Sequence, residues 1–129
     1  TLPGISQSVV ITRMAGRTPV PEKESIRSFA AHQATMVLFL STGMLEKLSE
    51  ELVAGGYQEE TPAAIVYKAT WPEEKVMHCT VGTLAETAER EKVTKTALIV
   101  VGNVLNTEYE RSKLYDPAFT TEFRKGKEV

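Results

Sequence analysis

The chain has 129 residues, 42% hydrophobic and 25% charged, with a net charge of −2. That length fits one domain with a real core, and the near-neutral balance gives no reason to expect a nucleic-acid partner. No apolar run approaches the roughly 20 residues that span a bilayer, so no membrane partner is expected either. A single cysteine, Cys79, excludes an internal disulfide and suits a cytoplasmic setting.

The opening TLPGISQSVV shows no basic segment followed by an apolar one, and Leu2-Pro3-Gly4 reads as a linker. Residues 1–7 are therefore expected to be the remnant of a linker, and the sequence the later part of a longer chain. Ser8 to Met14 is β-branched and predicts a strand. The stretch AGRTPVPEKE, with Pro19 and Pro21, predicts a loop. Ser25 to His32 carries Ile26, Phe29 and Ala30 at helical spacing. Thr35 to Leu40, TMVLFL, is a continuous apolar run and predicts a central strand covered on both faces. Thr42 to Ala54 is the clearest helix, with Leu45, Leu48 and Leu52 on one face and Gly55-Gly56 as its stop. Ala63 to Tyr67 and Lys75 to Thr80 predict two strands joined as a hairpin across ATWPEE. Thr83 and Glu86 fit a capping box for a helix running to about Lys92. Ala97 to Val101 predicts the last strand, ended by Gly102. Residues 107–129 read as a polar and aromatic tail.

Strand-helix-strand units imply parallel pairing, and the hairpin adds an antiparallel member. The expected fold class is α/β, with a mixed sheet of about five strands flanked by helices.

Much chemistry is excluded by composition. The only Asp, Asp116, lies in the tail, which argues against a Ser-His-Asp triad in the domain body. His78 and Cys79 are adjacent on a strand and point to opposite faces, so no metal site is expected. Neither GxGxxG nor GxxxxGK[ST] occurs. What remains is placement, because open α/β sheets bind ligands outside the carboxyl ends of their parallel strands. Leu40, Ala69 and Gly102 mark three strand ends. Small residues there let a ligand approach backbone, and Trp71-Pro72 would wall such a site.

Four segments, LPGISQSVVITRMAGRTPVPE, ATMVLFLS, VYKATWPEEK and RSKLYDPAFTTEFRKG, resemble the C-terminal half of the tetrapyrrole (corrin/porphyrin) methylases. GRTPVPE, YKATWP and RSKLYD point to the branch that methylates C-11 of precorrin-4 or cobalt-precorrin-4 in cobalamin biosynthesis. The resemblance implies a two-domain enzyme, of which this chain is the C-terminal domain, with S-adenosylmethionine held in the cleft between domains. It further implies a tetrapyrrole substrate and a homodimer as the full-length protein. By position, it places Leu40, Ala69, Thr70, Thr96, Ala97 and Leu98 on the cofactor. Ala69 stands where the resemblance gives related uroporphyrinogen methylases usually a Gly, and Thr96 where it gives the usual Pro. No catalytic side chain is assigned.

The substrate that the resemblance implies is rich in carboxylates, so Arg13 and Arg17 beside the loop are its first expected contacts, with Lys68, Arg111 and Arg124 as further candidates. Tyr109, Tyr115, Phe119 and Phe123 in the tail are expected either to close over the substrate or to pack on a partner subunit. Two other readings compete: a tetrapyrrole methylase acting at a different carbon, and a non-catalytic α/β binding module.

Overall fold

A computed structural model describes residues 1–93 and 95–106. It contains five strands: β1 Val9–Arg13, β2 Thr35–Ser41, β3 Pro62–Tyr67, β4 Lys75–Thr80 and β5 Thr96–Val101. Three α-helices join them, α1 Ile26–Ala30, α2 Leu45–Gly55 and α3 Leu84–Arg90. The strands form one mixed sheet in the order β1-β2-β5-β3-β4. The expected fold class holds in its strand count and its mixed pairing.

The pairing itself differs from expectation. Only β1 and β2 pair in parallel, while β2–β5, β5–β3 and β3–β4 are antiparallel. Each strand-helix-strand unit does join strands running the same way. In two of the three, however, another strand lies between them: β5 separates β2 from β3, and β3 separates β4 from β5.

The helices cover one face of the sheet. Met36 and Leu38 of β2, Ile65 of β3 and Ile99 and Val101 of β5 are fully buried there, against Leu45, Leu48 and Leu52 of α2 and Leu84 of α3. Burying each such side chain contributes about 1.5–3 kcal/mol. The opposite face is open among the described residues, with Ile11 68%, Phe39 59% and Val76 53% exposed. This corrects the expectation that TMVLFL is covered on both sides. Its alternate residues Met36, Leu38 and Leu40 are buried, and Phe39 is not.

Helix boundaries are set by local chemistry. The Ser25 hydroxyl accepts from the Ser28 N–H at 3.1 Å and opens α1. Gly56, at φ 139°, ends α2, where its N–H reaches the Leu52 and Val53 carbonyls. The expected Thr83–Glu86 box is replaced by a Thr80–Thr83 box around a 3-10 turn at Val81–Thr83, which leads directly into α3.

Just past α2, Tyr57 is buried and its hydroxyl donates to the Ala34 carbonyl, tying this helix end to the start of β2. Burial pushes its pKa up to about 12. The neutral phenol is thus favoured in the folded state over an unfolded value near 10, so this contribution is intact below pH 10. It is expected to fade as pH rises from about 10 toward 12, by about 2–3 kcal/mol. Urea titrations across that range check it: Tyr57→Phe should lose that part of the alkaline dependence, and an unchanged dependence refutes the assignment.

Candidate functional site

β2 and β3 run the same way and β5 runs against them, so one edge of the sheet gathers the ends of β2 and β3 with the start of β5. At this edge the sheet splits. β5 stays paired with β2 out to Leu40–Ala97 and Ser41–Thr96, whereas its pairing with β3 stops at Val66–Leu98. The side of Thr96–Ala97 that faces β3 therefore has no strand opposite it. A ligand lying there meets backbone donors and acceptors that the sheet does not use.

A cleft of about 410 Å³ occupies this notch. Phe39, Leu40, Val66, Lys68, Ala69, Thr96, Ala97 and Leu98 line it. The volume lies within the roughly 300–1,000 Å³ of small-molecule sites, and the walls are mostly apolar, as such sites are.

The chain is bent hard around the notch. Of the five non-glycine residues with positive φ among the described residues, three border it: Lys68 at 51°, Thr70 at 71° and Lys95 at 71°. L-residues adopt this conformation at a cost, and it is tolerated where surrounding structure enforces it. Here, turn hydrogen bonds from the Trp71 N–H to the Lys68 carbonyl and from the Glu74 N–H to the Trp71 carbonyl, both 3.0 Å, hold the bend. The Thr42 N–H anchors the Lys95 carbonyl at 2.8 Å. Ala69 is not among the positive-φ residues, so its side chain causes no such strain.

The cleft brings together five of the six expected cofactor contacts: Leu40, Ala69, Thr96, Ala97 and Leu98. Thr70 is exposed beside the cleft and does not line it; its N–H points to Glu74 Oε1 at 3.3 Å. Phe39 and Val66 also line the cleft, and strand alternation alone gives no cause to single them out. Gly102 is corrected. Because β5 is antiparallel to β2 and β3, Gly102 lies at the far end of the sheet, where a Cβ would stand 3.3 Å from the Thr35 Cα. Its smallness serves backbone packing there.

Arg13 ends β1 on the cleft side of the sheet, paired in register with Phe39. Its guanidinium donates to the carbonyls of Met14, Thr18 and Pro19 at 3.2–3.3 Å, so it holds the following loop in shape. Arg17, on that loop, is exposed and has no ion pair among the described residues. Trp71 is 63% exposed and stands at the turn without lining the cleft. His78 faces the open side and Cys79 the helix side, as adjacent strand residues must. Burial pushes the Cys79 thiol up, which keeps it protonated. Arg111, Arg124 and the tail aromatics lie outside the described residues.

The profile of the tetrapyrrole (corrin/porphyrin) methylases matches residues 1–85, well over half of the chain. The chain belongs to the tetrapyrrole methylases. Among members of that family, a cobalt-precorrin-4 C(11)-methyltransferase of Methanocaldococcus jannaschii is 53% identical, over 97% of this chain and 49% of that protein. One from Priestia megaterium is 43% identical, over 98% of this chain and 50% of that protein. The crystal structure of a cobalt precorrin-4 methyltransferase of cobalamin biosynthesis superposes with a TM-score of 0.75 at 42% identity, covering 79% of this chain and 43% of that one. A uroporphyrin-III C-methyltransferase of Thermus thermophilus shares the fold, with a TM-score of 0.66 at 23% identity over 86% of this chain and 46% of that one. The chain spans about half the length of the curated relatives it matches. Among the described residues no helix is long and apolar enough to cross a membrane.

Proposed function

We propose that this chain is one half of an S-adenosylmethionine-dependent methyltransferase that methylates C-11 of precorrin-4 or cobalt-precorrin-4, and that it carries the nucleoside side of the cofactor cleft. The observation that carries the reading is the notch between β3 and β5, where five residues expected on the cofactor converge on one cleft. Relatives of that name, alike over nearly the whole chain, support the choice of substrate.

The residues present fit a nucleoside. Leu98 offers apolar surface to a flat base, Ala69 leaves room for close approach, and the free side of Thr96–Ala97 offers backbone partners. Bound there, S-adenosylmethionine supplies a methyl group already activated on its sulfonium. This chain's own residues then bind, align and exclude water, and alignment of reacting groups is itself a large part of such catalysis. No nucleophilic side chain, acid or base is required of them.

In this reading Arg17 contacts a substrate carboxylate, and Arg13 supports it through the loop that its guanidinium holds. Arg17→Ala is expected to weaken macrocycle affinity about tenfold without changing the melting temperature. Arg13→Ala should weaken macrocycle affinity similarly and also make residues 14–19 more open to limited proteolysis. Unaltered affinity in both variants would make these arginines surface charges only.

The activity itself is tested on protein of the relatives' full length, with S-adenosylmethionine and the precorrin. Gain of one methyl at C-11, by mass spectrometry and NMR, is expected. Methylation at another carbon would favour a different member of the family, and cofactor binding without transfer would favour a binding module.

A further inference from the structure

Lys68 combines three features that the cleft's binding of a nucleoside does not use. It lines the mouth of the cleft, its backbone is left-handed at φ 51°, and its ammonium lies over two aromatic rings. The distances from Nζ are 5.5 Å to the centre of Tyr67 and 6.0 Å to the centre of Trp71. Cation–π contact at these distances restrains a side chain that is otherwise among the most mobile. The bend at Lys68 and the turn hydrogen bond from the Trp71 N–H to the Lys68 carbonyl bring Trp71 back toward the ammonium.

The rings leave the charge unneutralised. Among the described residues Lys68 has no carboxylate partner, and Glu74 of the same turn directs Oε1 to the Thr70 N–H. A braced, unpaired cation beside exposed Trp71 and Phe39 is suited to an anion carried on a flat apolar ring. A peripheral carboxylate of a tetrapyrrole has that form.

We infer that Lys68, braced by Tyr67 and Trp71, binds a carboxylate of the macrocycle at the mouth of the cleft. The inference rests on the proposed function for its substrate class, but its test needs no turnover. Uroporphyrin, an anionic polycarboxylate macrocycle, is the probe, titrated calorimetrically into this chain. Lys68→Met should weaken binding roughly tenfold and flatten its dependence on salt, whereas Lys68→Arg should retain most of the affinity. A cationic porphyrin should gain nothing from Lys68.

The cofactor's own amino-acid carboxylate is the other source of this chemistry. S-adenosylmethionine and methylthioadenosine, which lacks that carboxylate, are therefore titrated in parallel and should respond alike to Lys68→Met. Equal uroporphyrin affinity in wild type and Lys68→Met, or no uroporphyrin binding by wild type, overturns the inference. So does a loss confined to S-adenosylmethionine. Lys68-dependent uroporphyrin binding in a protein that transfers no methyl group would sustain the inference and refute the proposed activity.

Discussion

Gly55→Val is expected to destabilise the chain by about 3 kcal/mol or more, the upper range for forcing atoms into a packed interior. A Cβ at this position would stand 2.4 Å from the Arg27 carbonyl oxygen and 2.5 Å from the Ala30 Cβ. Neither neighbour is the far end of a flexible side chain; one is backbone and the other the root of a side chain in α1. Relief requires α1 to move off α2, which uncovers Ala30 and strains the Arg27–Glu51 ion pair that bridges the helices at 3.2 Å. That pair is partly solvated and worth little by itself, so the overlap decides the result. Helix propensity works the other way: Ala at position 55 would gain up to about 1 kcal/mol over Gly. The overlap should still win, and Gly55→Ala should also lose stability. Gly16→Ala is the control, since its nearest neighbour is the Met44 terminal methyl at 3.9 Å. Urea midpoints measure all three, and a Gly55→Ala chain as stable as wild type would show that the helices are not locked at this contact.

Ala69→Leu is expected to weaken S-adenosylmethionine binding by about tenfold to a hundredfold. The added side chain projects from the rim of the cleft, and overfilling a fitted site costs about 1–3 kcal/mol. Stability should hardly change, because Ala69 is exposed and outside the core. Thr70→Ala separates the cleft from the turn. Thr70 does not line the cleft, so its replacement should leave cofactor affinity within a few-fold of wild type. Calorimetry on both variants gives the answer. A Leu variant that binds as tightly as wild type removes Ala69 from the site, and a large loss in Thr70→Ala would mean that the turn reaches the ligand.

The sequence made the elements legible because each carries a local signature. The Leu45, Leu48 and Leu52 stripe required a helix, and Ala63 to Tyr67 a strand. Two kinds of information were not local. The direction of β5 depends on where α3 returns the chain, so Gly102, expected to end a strand beside the cleft, ends it at the opposite edge. The apolar run at TMVLFL is compatible with one covered face or two, and Phe39 carries no sign that its side is open. Ordinary alternation also hid Phe39 and Val66 as cleft residues, since the notch appears only once β3 and β5 are known to part at Val66–Leu98. The capping box shifted because Thr80 and Thr83 offer the same hydroxyl chemistry one 3-10 turn earlier.

The central place of β5 bears on how the chain reaches its native state. It is the last strand among the described residues, yet it provides both links that join β1-β2 to β3-β4. Before Thr96–Val101 is available, the earlier strands make at most two separate ribbons, each with an unpaired inner edge. Such edges are templates for mispairing, and a ribbon of two strands is marginal in water. During synthesis, sheet closure must therefore wait until Thr96–Val101 has emerged. Cooperative folding is deferred to a late, long-range docking event, which in turn brings the two walls of the cleft together.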